Sequence, residues 1–189
     1  MSWSIGEIRS LSLKAARGAG FEWGEAEEAA FAVWWLNGRF ARGTDALAGY
    51  LLARDTTLHH AEVCPIRFGI AVMDGAMSTE SLPKQIFAPL LVVPFLAEAG
   101  YSGRLVFEEG AIQFSTKGVT ENREAAVADT VKVTFDPGIR PQAGDCTTRV
   151  PDDARAAVKI LNRFAGRTYA PATEASRMSG AGAGVSDND

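Results

Sequence analysis

The chain has 189 residues with 19 basic and 23 acidic side chains, a net charge of −4. That balance disfavours nucleic acid as a partner, because phosphate neutralisation needs clustered Lys and Arg, and an apolar content of 47 % excludes wholesale disorder. Two cysteines, Cys64 and Cys146, are too few for a disulfide framework, and a chain of this length builds one core without such staples.

The N-terminal residues lack the basic flank and apolar stretch of a signal peptide. The longest apolar run, Ile86 to Ala97, is broken by Pro89 and Pro94 and is shorter than the roughly 20 residues of a membrane span. It reads as core, and a cytoplasmic protein with no membrane segment is expected.

In chain order, Ser4 and Glu7 form a capping box that starts a helix, with Ile5, Ile8, Leu11 and Ala15 at helical spacing until Gly18 and Gly20. Glu25, Glu27 and Glu28 then fall in the first turn of a second helix, where the macrodipole favours acids. Ala26, Ala29, Ala30 and Val33 give it a face of small residues, and Trp34 and Trp35 supply bulk. After a break at residues 38–43, Thr44 and Asp45 are expected to cap a third helix through Leu47, Leu51 and Leu52.

From about Ile66 the apolar period changes toward two, and strands are expected: Ile66 to Met73, then Leu105 and Phe107 against Ile112 and Phe114 around Glu109-Gly110, then Val131, Val133 and Phe135. Short turns between them imply an antiparallel sheet and argue against a doubly wound fold. Pro151, Asp152 and Asp153 open a last helix with an apolar stripe of Ala154, Val158, Leu161 and Phe164, stopped by Gly166. The fold class is therefore α+β in one domain, 1–189, with a helical part at 1–55, a strand-rich part at 63–137, a helix at 150–166 and a Gly-rich tail at 167–189.

The tail is the stretch richest in candidate chemistry. Glycines 180, 182 and 184 leave room for backbone amides to approach an anion, Arg177 has the fork geometry for a carboxylate or phosphate, and Asp187 with Asp189 suits a hard divalent cation such as Mg²⁺. The competing reading is a small-residue chain end with no chemistry, because the run lacks the Gly-Lys-Ser/Thr of a phosphate loop. His60 and Cys64 would share a helical face as a zinc pair, but no further ligands stand nearby. Glu25, Glu27 and Glu28 are better explained by helix electrostatics than by acid–base work, and Trp34 and Trp35, of which at most one can face a given pocket, read as core packing.

Three stretches carry a resemblance: residues 15–20 (AARGAG), residues 23–29 (WGEAEEA), and residues 168–177 (TYAPATEASR) with the Gly-Ala-Gly and Asp-Asn-Asp that follow. The chain resembles an uncharacterised family of proteobacterial proteins catalogued as domain of unknown function 3726, from its first helix to its last residue. The resemblance brings no activity, but it implies that the tail is a family feature and suggests that the two ends of the chain meet, with Arg17, Glu27, Arg177 and Asp187 lining one cleft.

Two functions are expected on these grounds. One is binding, with or without turnover, of a small anionic metabolite through Arg17, Arg177, Gly180, Gly182 and Gly184, with Glu27 or Glu174 as general base and Asp187 and Asp189 as metal ligands. The other is an accessory or scaffolding subunit that docks on a protein partner through its tail or its Trp-rich helical face, an expectation that a lone monomer or homodimer weighs against; a homo-oligomer is the separate alternative.

Overall fold

The computed structural model describes residues 2–39, 42–56, 64–78, 86–107, 110–120, 134–137 and 146–169, with 107, 110 and 134–137 described by their backbone. Strand β1 (Trp3–Ser4) leads into α1 (Ile5–Gly18), whose capping box is as the sequence predicts. The Glu7 backbone N–H donates to Ser4 Oγ at 3.2 Å, and Glu7 Oε2 accepts from the Ser4 backbone N–H at 2.7 Å. Helix α2 (Trp23–Asn37) follows a short turn and is apolar on nearly every side: Ala26, Ala29, Ala30, Ala32, Val33, Trp35 and Leu36 are all buried.

Helix α3 (Gly43–Thr56) begins ahead of the expected cap, and Thr44 lies within it. Thr44 is buried inside the first turn, where its Oγ1 accepts from Asn37 Nδ2 at 2.7 Å and its N–H donates to Asn37 Oδ1 at 3.2 Å. The side chain at the end of α2 thus does the capping from outside α3.

The first expected strand is a helix. Residues 65–73 form α4 (Pro65–Met73), with Pro65 at the first position and Ile66, Phe68, Gly69 and Val72 buried. The apolar residues there fit a period of two as well as one of 3.6, and a proline at a helix start settles the matter. Gly69 lets Phe95 press on α4, since an added Cβ would collide with that ring. Phe95 belongs to α5 (Val93–Glu98), preceded by a 3₁₀ turn at Pro89–Val92, so the run 86–97 is buried throughout, as expected, and is helical from Pro89 on.

The main sheet begins at Gly103 among the described residues. β2 (Gly103–Phe107), β3 (Gly110–Ser115), β4 (Gly118–Thr120) and β5 (Thr134–Pro137) form an antiparallel sheet in the order β4-β3-β2-β5. The expected hairpin is present, pairing Phe107 with Gly110, and Leu105, Ile112 and Phe114 enter the core. Val131 and Val133 lie outside the described residues. β6 (Arg149–Val150) and a 3₁₀ turn at Asp152–Ala154 precede α6 (Arg155–Gly166), with Pro151 just ahead of that turn and not within a helix. The architecture is α+β, with the helices as its larger part.

Candidate functional site between the first and last helices

The N-terminal segment and the last described one are bound together three times. β1 pairs with β6, joining Trp3 to Val150 and Ser4 to Arg149, and the Ile5 N–H donates to the Thr148 carbonyl at 3.0 Å. Arg149 Nε donates to Ser2 Oγ at 2.9 Å. At the other end of α1, Gly18 passes so close to Phe164 of α6 that any Cβ would strike its carbonyl oxygen.

Alongside the contact of α1 with α6 runs a cleft of about 500 Å³, lined by Gly6, Glu7, Ser10, Leu11 and Lys14 from α1, by Asn162 and Ala165 from α6, and by Tyr169 just after it. The spacing of the α1 residues is that of one helical face beside the buried stripe of Ile8, Ser12, Ala15 and Ala16. Glu7 is held ionised: the hydrogen bonds from Ser4 lower its pKa below the usual carboxylate value, and Arg149 adds to this. Lys14 forms no ion pair among the described residues. Asn162 donates its amide to the Val158 carbonyl at 2.9 Å, so its Oδ1 stays available, and Tyr169 is 66 % exposed at the mouth. A cation, an anion, neutral hydrogen-bonding groups and an aromatic ring therefore share one cleft, which is what positioning a small polar molecule requires.

Arg17 stands one turn beyond Lys14 but turns to the α1–α2 corner. Its Nη1 donates to the Phe21 carbonyl at 2.6 Å, the guanidinium lies 4.7 Å from the Trp23 ring centroid, and Glu22 is 3.9 Å away. Arg54 covers the other face of this corner, 4.2 Å from the Phe21 ring. Glu27 is exposed on α2, while Glu25 binds Arg67 of α4 at 2.6 and 3.3 Å, a contact that lowers the Glu25 pKa. Burial raises the pKa of Glu28, assisted by Asp74 and Glu27. Trp35 is buried with its Nε1 donating to Glu98 at 3.0 Å, and Trp34 is 38 % exposed, so the adjacent pair does divide between core and surface.

A second cluster sits where α3 meets α4. The buried Tyr50 hydroxyl is pushed to a higher pKa, chiefly by burial, and also by its charge interaction and hydrogen bond with Cys64, the residue that precedes α4. Both Cys64 and Cys146 are free thiols.

Glu174, Arg177, Gly180, Gly182, Gly184, Asp187 and Asp189 lie outside the described residues, as do His59 and His60. Of the four residues expected to line one cleft, Arg17 and Glu27 are described, and neither lines the cleft between α1 and α6. The residues that do line it escaped the sequence reading. Their signal was a second face on α1, Glu7, Ser10, Leu11 and Lys14 at spacings of three and four, which a lone solvated helix shows equally well. Among the described residues, no three His, Cys, Asp or Glu side chains gather as metal ligands, and no helix is long and apolar enough to cross a membrane.

No curated protein and no solved structure shows detectable similarity to the chain. Residues 3–75, from β1 through α4, match the model of a family described as a protein of unknown function (DUF3726).

Proposed function

We propose that the chain is a cytosolic protein that binds a small anionic metabolite in the cleft between α1 and α6, with Lys14 as the anion contact. The observation that carries this reading is the Lys14 ammonium, free of any carboxylate partner among the described residues, on the wall of a cleft of about 500 Å³. That size falls within the roughly 300–1,000 Å³ of small-molecule sites. The free thiols accord with a reducing compartment.

A thermal-shift screen of small carboxylates and phosphates, repeated on Lys14→Met, tests the reading. A ligand that stabilises the wild-type chain and not the variant supports it, and a screen in which no anion stabilises the wild type overturns it. Lys14→Met keeps the aliphatic stem on an exposed helical position, so its own effect on stability stays within about 0.5 kcal/mol.

A second reading, docking on a protein partner through an aromatic surface, draws on the exposure of Trp23 (62 %) and Trp34 (38 %). Exposed Trp side chains are typical interface anchors. It requires that Trp23→Ser together with Trp34→Ser dissociate a stoichiometric partner that co-purifies with the wild-type chain from its native host.

A further inference from the structure

We infer that the ligand of this cleft is a zwitterion carrying an ammonium and a carboxylate about 6 Å apart around a peptide-like amide, the chemistry of a dipeptide with an apolar side chain. The inference rests on the reading of the cleft given above and adds its second charge. Glu7 and Lys14 both line the cleft and are separated by two turns of α1, roughly 10 Å of rise. They are too far apart to pair with each other, and each can reach one end of a shorter molecule lying between them.

The Glu7 carboxylate uses one oxygen, Oε2, for both of its contacts with Ser4, which leaves Oε1 to accept from a ligand ammonium. Lys14 takes the carboxylate. The groups between the two charges are neutral and complementary to an amide. Ser10 carries a hydroxyl donor, and Asn162, whose Nδ2 is engaged by the Val158 carbonyl, offers Oδ1 as an acceptor. Leu11 supplies an apolar floor and the Tyr169 ring a flat surface at the mouth, a setting for one aliphatic or aromatic side chain. A simple anion satisfies Lys14 and leaves the ionised Glu7 facing it across the cleft, and a simple cation does the reverse.

The test uses the full chain and glycyl-phenylalanine as the probe, beside its N-acetyl form, which keeps the carboxylate, and its amide, which keeps the ammonium. Binding is read by calorimetry or by amide chemical shifts of α1 and α6. The zwitterion is expected to bind at least about tenfold more tightly than either blocked form, as befits the loss of one hydrogen bond to a charged group. Glu7→Gln retains a capping box, because Gln serves at that position as Glu does. It is expected to erase the preference over the acetyl form, and Lys14→Met the preference over the amide. If the acetyl form binds as tightly as the zwitterion and still requires Lys14, the zwitterion class is wrong while anion binding in the cleft stands. If neither the zwitterion nor the acetyl form binds at millimolar concentrations, the dipeptide class is wrong, and the screen of carboxylates and phosphates decides separately whether the cleft takes an anion.

Discussion

The contact of α2 with α4, α5 and the Pro89–Val92 turn is made of different material from the contact of α1 with α6. The first brings Phe31 of α2 onto Phe95 and draws on the buried residues of α4 and an unbroken buried run from Ile86 to Ala97, with Glu98 reached only at its edge by Trp35. The second opens into a cleft holding Glu7, Ser10, Lys14 and Asn162. Close-packed apolar surface stabilises in proportion to the area withdrawn from water, whereas the solvated polar lining of the cleft contributes little to folding. One contact holds the molecule together, and the other is free to carry chemistry.

The largest expected effect lies at the centre of the apolar contact. Phe95→Ala, at a side chain with no exposure that meets Gly69 and Phe31, should cost about 3–5 kcal/mol by denaturant titration. A loss below about 1 kcal/mol would mean that this region is not the packed centre described. Asn37→Ala removes both hydrogen bonds to the buried Thr44 and strands its N–H, for which about 1–3 kcal/mol is expected. Ser12 on α1 reverses the sign: its hydroxyl is fully buried with no hydrogen-bond partner among the described residues, so Ser12→Ala should leave the thermal midpoint unchanged or raise it slightly.

The smallest effect concerns pH. The Arg67 hydrogen bonds place the folded pKa of Glu25 below the unfolded value of about 4.3, so this contact contributes its stability above that pH and loses it as the pH falls through the folded pKa. Arg67 is largely exposed, which keeps the contribution within about 1 kcal/mol. Glu25→Gln should flatten the acid limb of the stability curve and leave its slope near neutrality unchanged; an unaltered acid limb would show the pair to be energetically silent.

Elements whose causes lie within a few residues were legible in the sequence. The Ser4–Glu7 box, the hairpin closing on Gly110 and the stripe of α6 are each determined by spacing that a reader can see. Residues 65–73 were misjudged because Ile66, Phe68, Ile70 and Val72 alternate as a strand would, and it is Pro65 at the helix start together with the packing of Phe95 on Gly69 that shows which period governs. β1 and β6 are two residues each and exist through each other, so neither leaves a local trace. The same holds for the cleft: α1 shows a polar face, but nothing near it announces that Asn162 and Tyr169 will complete the opposite wall.

That wall has a consequence for the order of events in synthesis. α6 leaves the ribosome some 150 residues after α1, and folding during translation proceeds from the N-terminal side. α1 to α5 can assemble on one another while Gly18 and the polar face of α1 still lack their neighbour. Contacts of such long sequence separation form late and slowly, so the cleft comes into being only when the final helix docks. A nascent or C-terminally shortened chain therefore lacks one wall of the cleft together with the Leu161 and Phe164 side chains of the core.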